Sequence, residues 1–279
     1  MKIKKILFII IIVIIIIICF IVFKSNKEEK NNSKKDLKIE ELENINKETN
    51  YFKNENIDRY IKYKRNNKEK DIKQIIKDVN MNLDKEKYVD TYEALYPNTE
   101  KILVNKYYYL DENYIPKELI DIDTKYAKQG MKLVKNAKEA FEELSEDALK
   151  ENMNIIAMSS YRSYEYQVNL YNNYVKKDGK EAADTYSARP GFSEHQTGLA
   201  IDVYNKKEPY TNFEQTAEFN WMQENAHKYG FILRFPKGKE NETGYQYESW
   251  HYRYVGKKIA KNIHKNNITL EEYIATHIK

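Results

Sequence analysis

Residues 193–204 read SEHQTGLAIDVY, and this stretch decides how the rest of the chain is read. Gly198 marks a turn, and the run that follows alternates as a half-buried strand does. Leu199, Ile201 and Val203 face one side, while Ala200, Asp202 and Tyr204 face the other. Asp202 therefore sits opposite three core-forming aliphatics. A carboxylate in such a place needs a partner, and a metal ion held jointly with His195 from the preceding turn would supply one.

A second stretch, YESWHYRYVG at residues 247–256, offers Glu248 and His251 among aromatics. Two histidines and one carboxylate make a catalytic zinc set, because three protein ligands leave a fourth position for water. A structural zinc site usually closes that position with cysteine. The single cysteine, Cys19, lies in an apolar run, so a thiolate site is excluded. Glu248, three residues before His251, is placed to move protons during hydrolysis. The plainer reading of the same residues pairs Glu248 with Arg253 and packs His251 in an aromatic cluster. A third stretch, SSYRSYEYQ at residues 159–167, puts Arg162 in a turn after a β-run, where a cation can point into a cleft. Its alternative is a surface arginine that caps the next helix together with Ser163.

Outward from these stretches, the pattern predicts a strand at Lys101–Lys106 and a helix over Lys135–Asn152. It continues with a strand at Ile155–Ser159, a helix over Tyr164–Lys177, a strand at Leu199–Tyr204, a helix over Phe213–Tyr229 and a strand at Tyr247–Tyr252. Loose alternation without a nucleotide-binding glycine fingerprint indicates an α+β class built on a small antiparallel sheet. His227, late in a helix that stops at Gly230, reads as structural. His264 and His277 read as surface residues.

The chain has 279 residues, with 47 Lys+Arg against 43 Asp+Glu. Beyond residue 23 the excess is a single positive charge, which excludes the basic stripe of a nucleic-acid binder. One cysteine excludes a disulfide scaffold. Ile6–Phe23 is an unbroken apolar run of 18 residues, long enough to cross about 30 Å of hydrocarbon, and no small-residue cleavage site follows it. Residues 1–23 are thus expected to be an uncleaved membrane anchor, and 24–56 a charged tether. Residues 57–100 form a helical segment, with Ile72, Ile75, Ile76 and Val79 as its apolar stripe, and 101–279 the catalytic domain. A polar domain behind one anchor is expected on the extracytoplasmic side of the cell membrane.

Taken together, ILVNK with a following YIP, SxYRSxxxQ, ARPGFSEHQTGLAID and ExWHYRYVG resemble the VanY-type D-alanyl-D-alanine carboxypeptidases. These belong to the zinc metallopeptidase group that includes lysostaphin and the hedgehog fold. The resemblance spans roughly Lys101–Gly256. It implies His195, Asp202 and His251 as Zn2+ ligands and Glu248 as catalytic base and then acid. It further implies Arg162 as oxyanion stabiliser and substrate anchor, with Gln167 and Ser193 holding the terminal D-Ala. The implied substrate is a peptidoglycan stem peptide ending in D-Ala-D-Ala. Two alternatives are an endopeptidase of the same metal chemistry and a non-catalytic wall-binding domain.

Overall fold

The computed structural model describes residues 49–278 together with Lys24. The expected anchor and most of the expected tether lie outside the described residues. Among the described residues no helix is long and apolar enough to cross a membrane.

The chain divides into two compact units, the first ending at Ile76 and the second starting at Lys77. In the first, helix α1 (Ile57–Asn66) buries Tyr60 and Ile61. Helix α2 (Ile72–Asn80) begins in this unit and has its last residues, from Lys77, in the second; it starts where Asp71 accepts the backbone N–H of Gln74 at 2.8 Å, an N-cap that satisfies one of the helix's free donors. Ile75, Ile76 and Val79 are fully buried, as the helical stripe requires.

The second unit opens with a two-residue parallel pairing of β1 (Tyr92–Glu93) and β2 (Tyr108–Tyr109), then an antiparallel pair, β3 (Leu119–Asp121) and β4 (Lys132–Val134). Helix α3 (Lys135–Lys150), strand β5 (Ile156–Ser159) and helices α4 (Tyr164–Asp178) and α5 (Lys180–Tyr186) follow. Then come β6 (Ala200–Tyr204), α6 (Ala217–Asn225), β7 (Phe231–Leu233), α7 (Glu240–Thr243), β8 (His251–Tyr254), α8 (Lys257–Asn266) and α9 (Leu270–His277). The central sheet is antiparallel throughout, in the order β5-β6-β8-β7. This is the α+β architecture expected.

One face of that sheet makes the main core. Ala157, Ile201, Val203, Phe231, Tyr252 and Tyr254 pack with Phe141 and Leu144 of α3 and with Trp221 and Met222 of α6. On the opposite face Ile232 joins Val255 and the apolar sides of α8 and α9, including Ile259, Ile263, Leu270 and Ile274. The rest of that second face carries Asp202, His251 and Arg253. The alternation of β6 and β8 thus sends apolar side chains to one layer and polar ones to the site.

Three expected elements differ. Lys101–Lys106 is not a strand; it touches its neighbours through one isolated bridge, Leu103 to Leu95, although Ile102, Leu103 and Val104 are buried. The carbonyls of Glu100 and Ile102 accept instead from Arg253 Nη2, at 3.2 and 2.7 Å. The helix over Phe213–Tyr229 is divided. A 3-10 turn at Tyr210–Gln215 precedes α6, which Thr216 caps by accepting from the Phe219 N–H, and a second 3-10 turn ends in left-handed Gly230. The last strand starts at His251, so Glu248 lies in the approach to the strand and not on it.

Candidate active site

Register brings the first two ligand candidates together. Asp202 of β6 pairs with His251 of β8 in adjacent antiparallel strands, so their side chains rise side by side from one face. His251 Nδ1 lies 2.9 Å from Asp202 Oδ1. His195 arrives from the 3-10 turn Glu194–Thr197, which ends at left-handed Gly198 and feeds directly into β6. A Cβ on Gly198 would sit 2.9 Å from Leu119 Cδ2, so this tight turn accepts only glycine without a shift. His195 Nε2 stands 3.4 Å from Asp202 Oδ2, and the two imidazoles meet edge to face at 5.0 Å between ring centres.

The donor atoms of His195, Asp202 and His251 all lie within 4.8 Å of one another, and all three residues are buried. The chemistry of this set fits zinc. The Ser160 carbonyl binds His195 Nδ1 at 2.6 Å, which makes that nitrogen the protonated one and aims the Nε2 lone pair at the cluster. His251 Nε2 faces Glu194 Oε2 at 3.8 Å, and both atoms are buried without a hydrogen-bond partner. A proton held on Nε2 beside that carboxylate frees His251 Nδ1 for a metal.

Electrostatics treat the two imidazoles differently. Burial pushes His195 down to about 4, helped by the Arg162 guanidinium, so the ring is neutral and able to ligate. Burial alone would also lower His251, but the carboxylates of Asp202 and Glu194 overcome it and raise the ring to about 9, so without a metal this ring carries a second proton on Nδ1, which zinc displaces on binding. Burial opposes ionisation of Asp202, yet His195 and Arg162 hold its carboxyl well below the usual range.

Glu248 hangs over the cluster from the turn before β8, its backbone N–H bound to the Phe235 carbonyl and its Oε2 3.8 Å from His251 Nδ1. Burial raises its carboxyl to about 7, with His251 and Arg162 pulling the other way. Such a carboxylate exchanges protons near neutral pH. It does not pair with Arg253, whose Nη1 donates to Glu194 Oε1 at 2.8 Å; of the plainer reading only the aromatic packing holds, His251 stacking on Phe235 at 4.9 Å.

Arg162 leaves the end of β5 and points inward. Its Nε and Nη2 reach Ser159 Oγ at 3.0 and 2.8 Å, and Nη2 donates to Asp202 Oδ2 at 2.5 Å. Ser163, by contrast, does the ordinary work of capping α4, accepting from the Tyr166 N–H at 3.1 Å. Gln167 and Ser193 line the same cleft and are buried. Gln167 donates from Nε2 to the Ala188 carbonyl at 2.8 Å, leaving its Oε1 buried without a partner. The cleft holds about 450 Å³ and runs from the cluster along α4, with Tyr210 and Trp250 packed edge to face on its border.

Sequence reasoning missed what stands behind the cluster. Glu194 accepts from Arg234 Nε at 2.9 Å as well as from Arg253, and Arg234 also donates to both oxygens of Glu271 at 2.8 and 2.6 Å. All four side chains are buried. The one available signal was parity: Arg253 shares a strand face with His251. Among the other histidines, His264 and His277 are exposed as expected, and His264 stacks on the half-buried His227 at 3.8 Å between ring centres.

Comparison with known proteins agrees with this geometry. A profile of the VanY D-alanyl-D-alanine carboxypeptidase family matches residues 130–257. The putative carboxypeptidase YodJ of Bacillus subtilis (strain 168) is 44% identical over 196 residues, covering 67% of this chain and 71% of that protein. Among solved structures, the LdcB LD-carboxypeptidase superposes with a TM-score of 0.60 at 39% identity, covering 67% of this chain and 98% of that one. The vancomycin-resistance D,D-pentapeptidase VanY from a VanB-type cassette, solved with Zn(II), gives 0.56 at 31% identity, covering 63% and 98%.

Proposed function

The chain belongs to the VanY D-alanyl-D-alanine carboxypeptidase family and is a zinc-dependent carboxypeptidase, and from that premise we propose that it removes the terminal D-Ala from peptidoglycan stem pentapeptides. The observation that carries the reading is the convergence of His195, Asp202 and His251 beside Glu248 and Arg162 in one cleft.

His195 Nε2, an Asp202 oxygen and His251 Nδ1 would hold the zinc, which supplies Lewis acidity at the scissile carbonyl. Glu248 takes the proton of the attacking water and returns it to the leaving amine nitrogen, a task suited to a carboxyl raised to about 7. Arg162 stabilises the developing oxyanion. Its Nε and Nη2 are tied to Ser159 and Asp202, which orients the guanidinium and leaves Nη1 for a substrate oxygen. Gln167 and Ser193 bind the terminal residue from the floor of the cleft.

A second reading has its own support, since the LD-carboxypeptidase LdcB is more similar in sequence than the D,D-enzyme. That reading is cleavage of an L,D bond in a tetrapeptide stem. Incubating zinc-loaded protein with a pentapeptide stem, a tetrapeptide stem and a cross-linked muropeptide, followed by mass analysis, separates the readings. Loss of one D-Ala from the pentapeptide supports the first. Loss from the tetrapeptide alone supports the second, and cleavage only of the cross-link makes the protein an endopeptidase.

The apolar run Ile6–Phe23 supports a single-pass anchor in the cell membrane, with the catalytic domain on the extracytoplasmic side where its substrate resides. Fractionation and protease accessibility of intact cells test that placement.

A further inference from the structure

Ser193 reaches the cleft at the end of a loop, residues 187–193, which reads SARPGFS. The loop leaves α5 at Ser187, and the Phe192 N–H closes a turn by donating to the Arg189 carbonyl at 2.9 Å. The Ala188 carbonyl holds Gln167 Nε2, and Ser193 runs directly into the turn that carries His195. The shape of this loop therefore sets Ser193, Gln167 and His195 relative to one another. It has no ladder of its own, so contacts from elsewhere must fix it.

Tyr88 supplies such contacts. It lies in the connection between α2 and β1, half-buried between the exposed Lys87 and Val89, and its ring packs in neither apolar core. The ring is wedged against the loop instead: the Arg189 guanidinium covers its face at 4.0 Å, and Phe192 meets it edge to face at 5.0 Å. Arg189 is held in turn by Asp184, through Nε at 3.0 Å and Nη2 at 2.7 Å. The Tyr88 hydroxyl stands 3.3 Å from that of Tyr245, whose ring packs at 4.9 Å on Phe235 beneath His251. The Tyr88 N–H donates to the Lys106 carbonyl at 3.0 Å, and the residue takes a φ of +64°. A bulky side chain rarely accepts this left-handed backbone, which persists only where the surroundings impose it. Here the surroundings are the loop's own arginine and phenylalanine.

We propose that Tyr88 is a positioning residue of the active site, whose ring holds residues 187–193 so that Ser193 meets the substrate. This rests on the carboxypeptidase reading above and adds to it a residue that does not line the cleft and lies ahead of the stretch the family profile matches.

The test uses the full chain loaded with zinc and the stem that the wild-type protein cleaves. Tyr88→Gly removes the ring and suits the left-handed backbone, so it deletes the contact without adding strain. It should raise KM about tenfold and lower kcat less than about threefold, with zinc still near one per chain. Amide hydrogen exchange over residues 187–193 should quicken about tenfold. Tyr88→Phe keeps both ring contacts and should stay within about threefold of wild type in KM. A folded Tyr88→Gly protein with wild-type KM or unchanged loop exchange overturns the proposal, and so does equal damage from Tyr88→Phe. If Tyr88→Gly does not fold, Tyr88→Leu fills the space without an aromatic face for Arg189; a wild-type KM in that variant overturns the proposal too. Wild-type protein that releases no residue from any stem defeats the carboxypeptidase reading instead, and loop exchange then decides alone whether the ring holds the loop.

Discussion

Glu194 separates two ionic clusters on one face of the central sheet. Behind it, Arg234 and Arg253 meet Glu194 and Glu271 through donors at 2.6–2.9 Å, two positive groups against two negative, all buried. In front, His195, Asp202 and His251 crowd their lone pairs within 4.8 Å, with Arg162 reaching only Asp202. The rear cluster is neutral and satisfied by the protein itself. The front one gathers acceptors around a point where the protein offers no donor to all three, which is the signature of a cation site. Neutrality behind the site also keeps the position of Glu194 rigid, and Glu194 in turn faces His251 Nε2. The contrast shows how a buried charge can serve as scaffold in one place and as ligand a few ångströms away.

Substitutions on either side should therefore break different properties. The largest effect on turnover is expected from His195→Ala or His251→Ala, which should abolish both zinc retention after dialysis and D-Ala release; zinc content near one per chain in either would contradict the ligand set. Glu248→Gln should keep its zinc yet lose about 10²–10⁴ in kcat, since only proton transfer is removed. Next comes Arg162→Ala, expected to cost about 10²–10³ in kcat with the fold intact by circular dichroism. Smaller again, Glu194→Gln should weaken zinc affinity about 10–100-fold in a chelator competition, because the residue acts on His251 and not on substrate. The smallest effect on turnover belongs to Arg253→Met, which should destabilise the chain by about 3–5 kcal/mol in denaturant unfolding while native protein keeps most of its activity. An Arg253→Met enzyme that is stable but inactive would merge the two clusters into one functional unit.

Much of the front cluster was legible beforehand. Asp202 opposite Ile201 and Val203, and His251 beside Glu248, are visible from alternation and short spacing. Arg162 and Ser163 stood equally open, and the structure assigns them opposite duties. The rear cluster was not legible, because its ion pairs join residues 37 to 59 positions apart and each member reads alone as surface charge. Lys101–Lys106 misled for a related reason. Its apolar run reads as a strand, but the carbonyl of Ile102, with that of Glu100 just before the run, serves Arg253 in place of a neighbouring strand.

The sequence by itself determined which side chains leave each strand toward the core and which toward the cleft, since parity along an extended chain is local geometry. It also carried the donor types, and hence the class of metal they suit. Only the tertiary structure decided that Asp202 lies across from His251, that the turn at Gly198 swings His195 onto the same point, and that Glu194 is clamped between two arginines. Strand register and buried ion pairs are set by packing between distant segments, and no short window of residues contains that information.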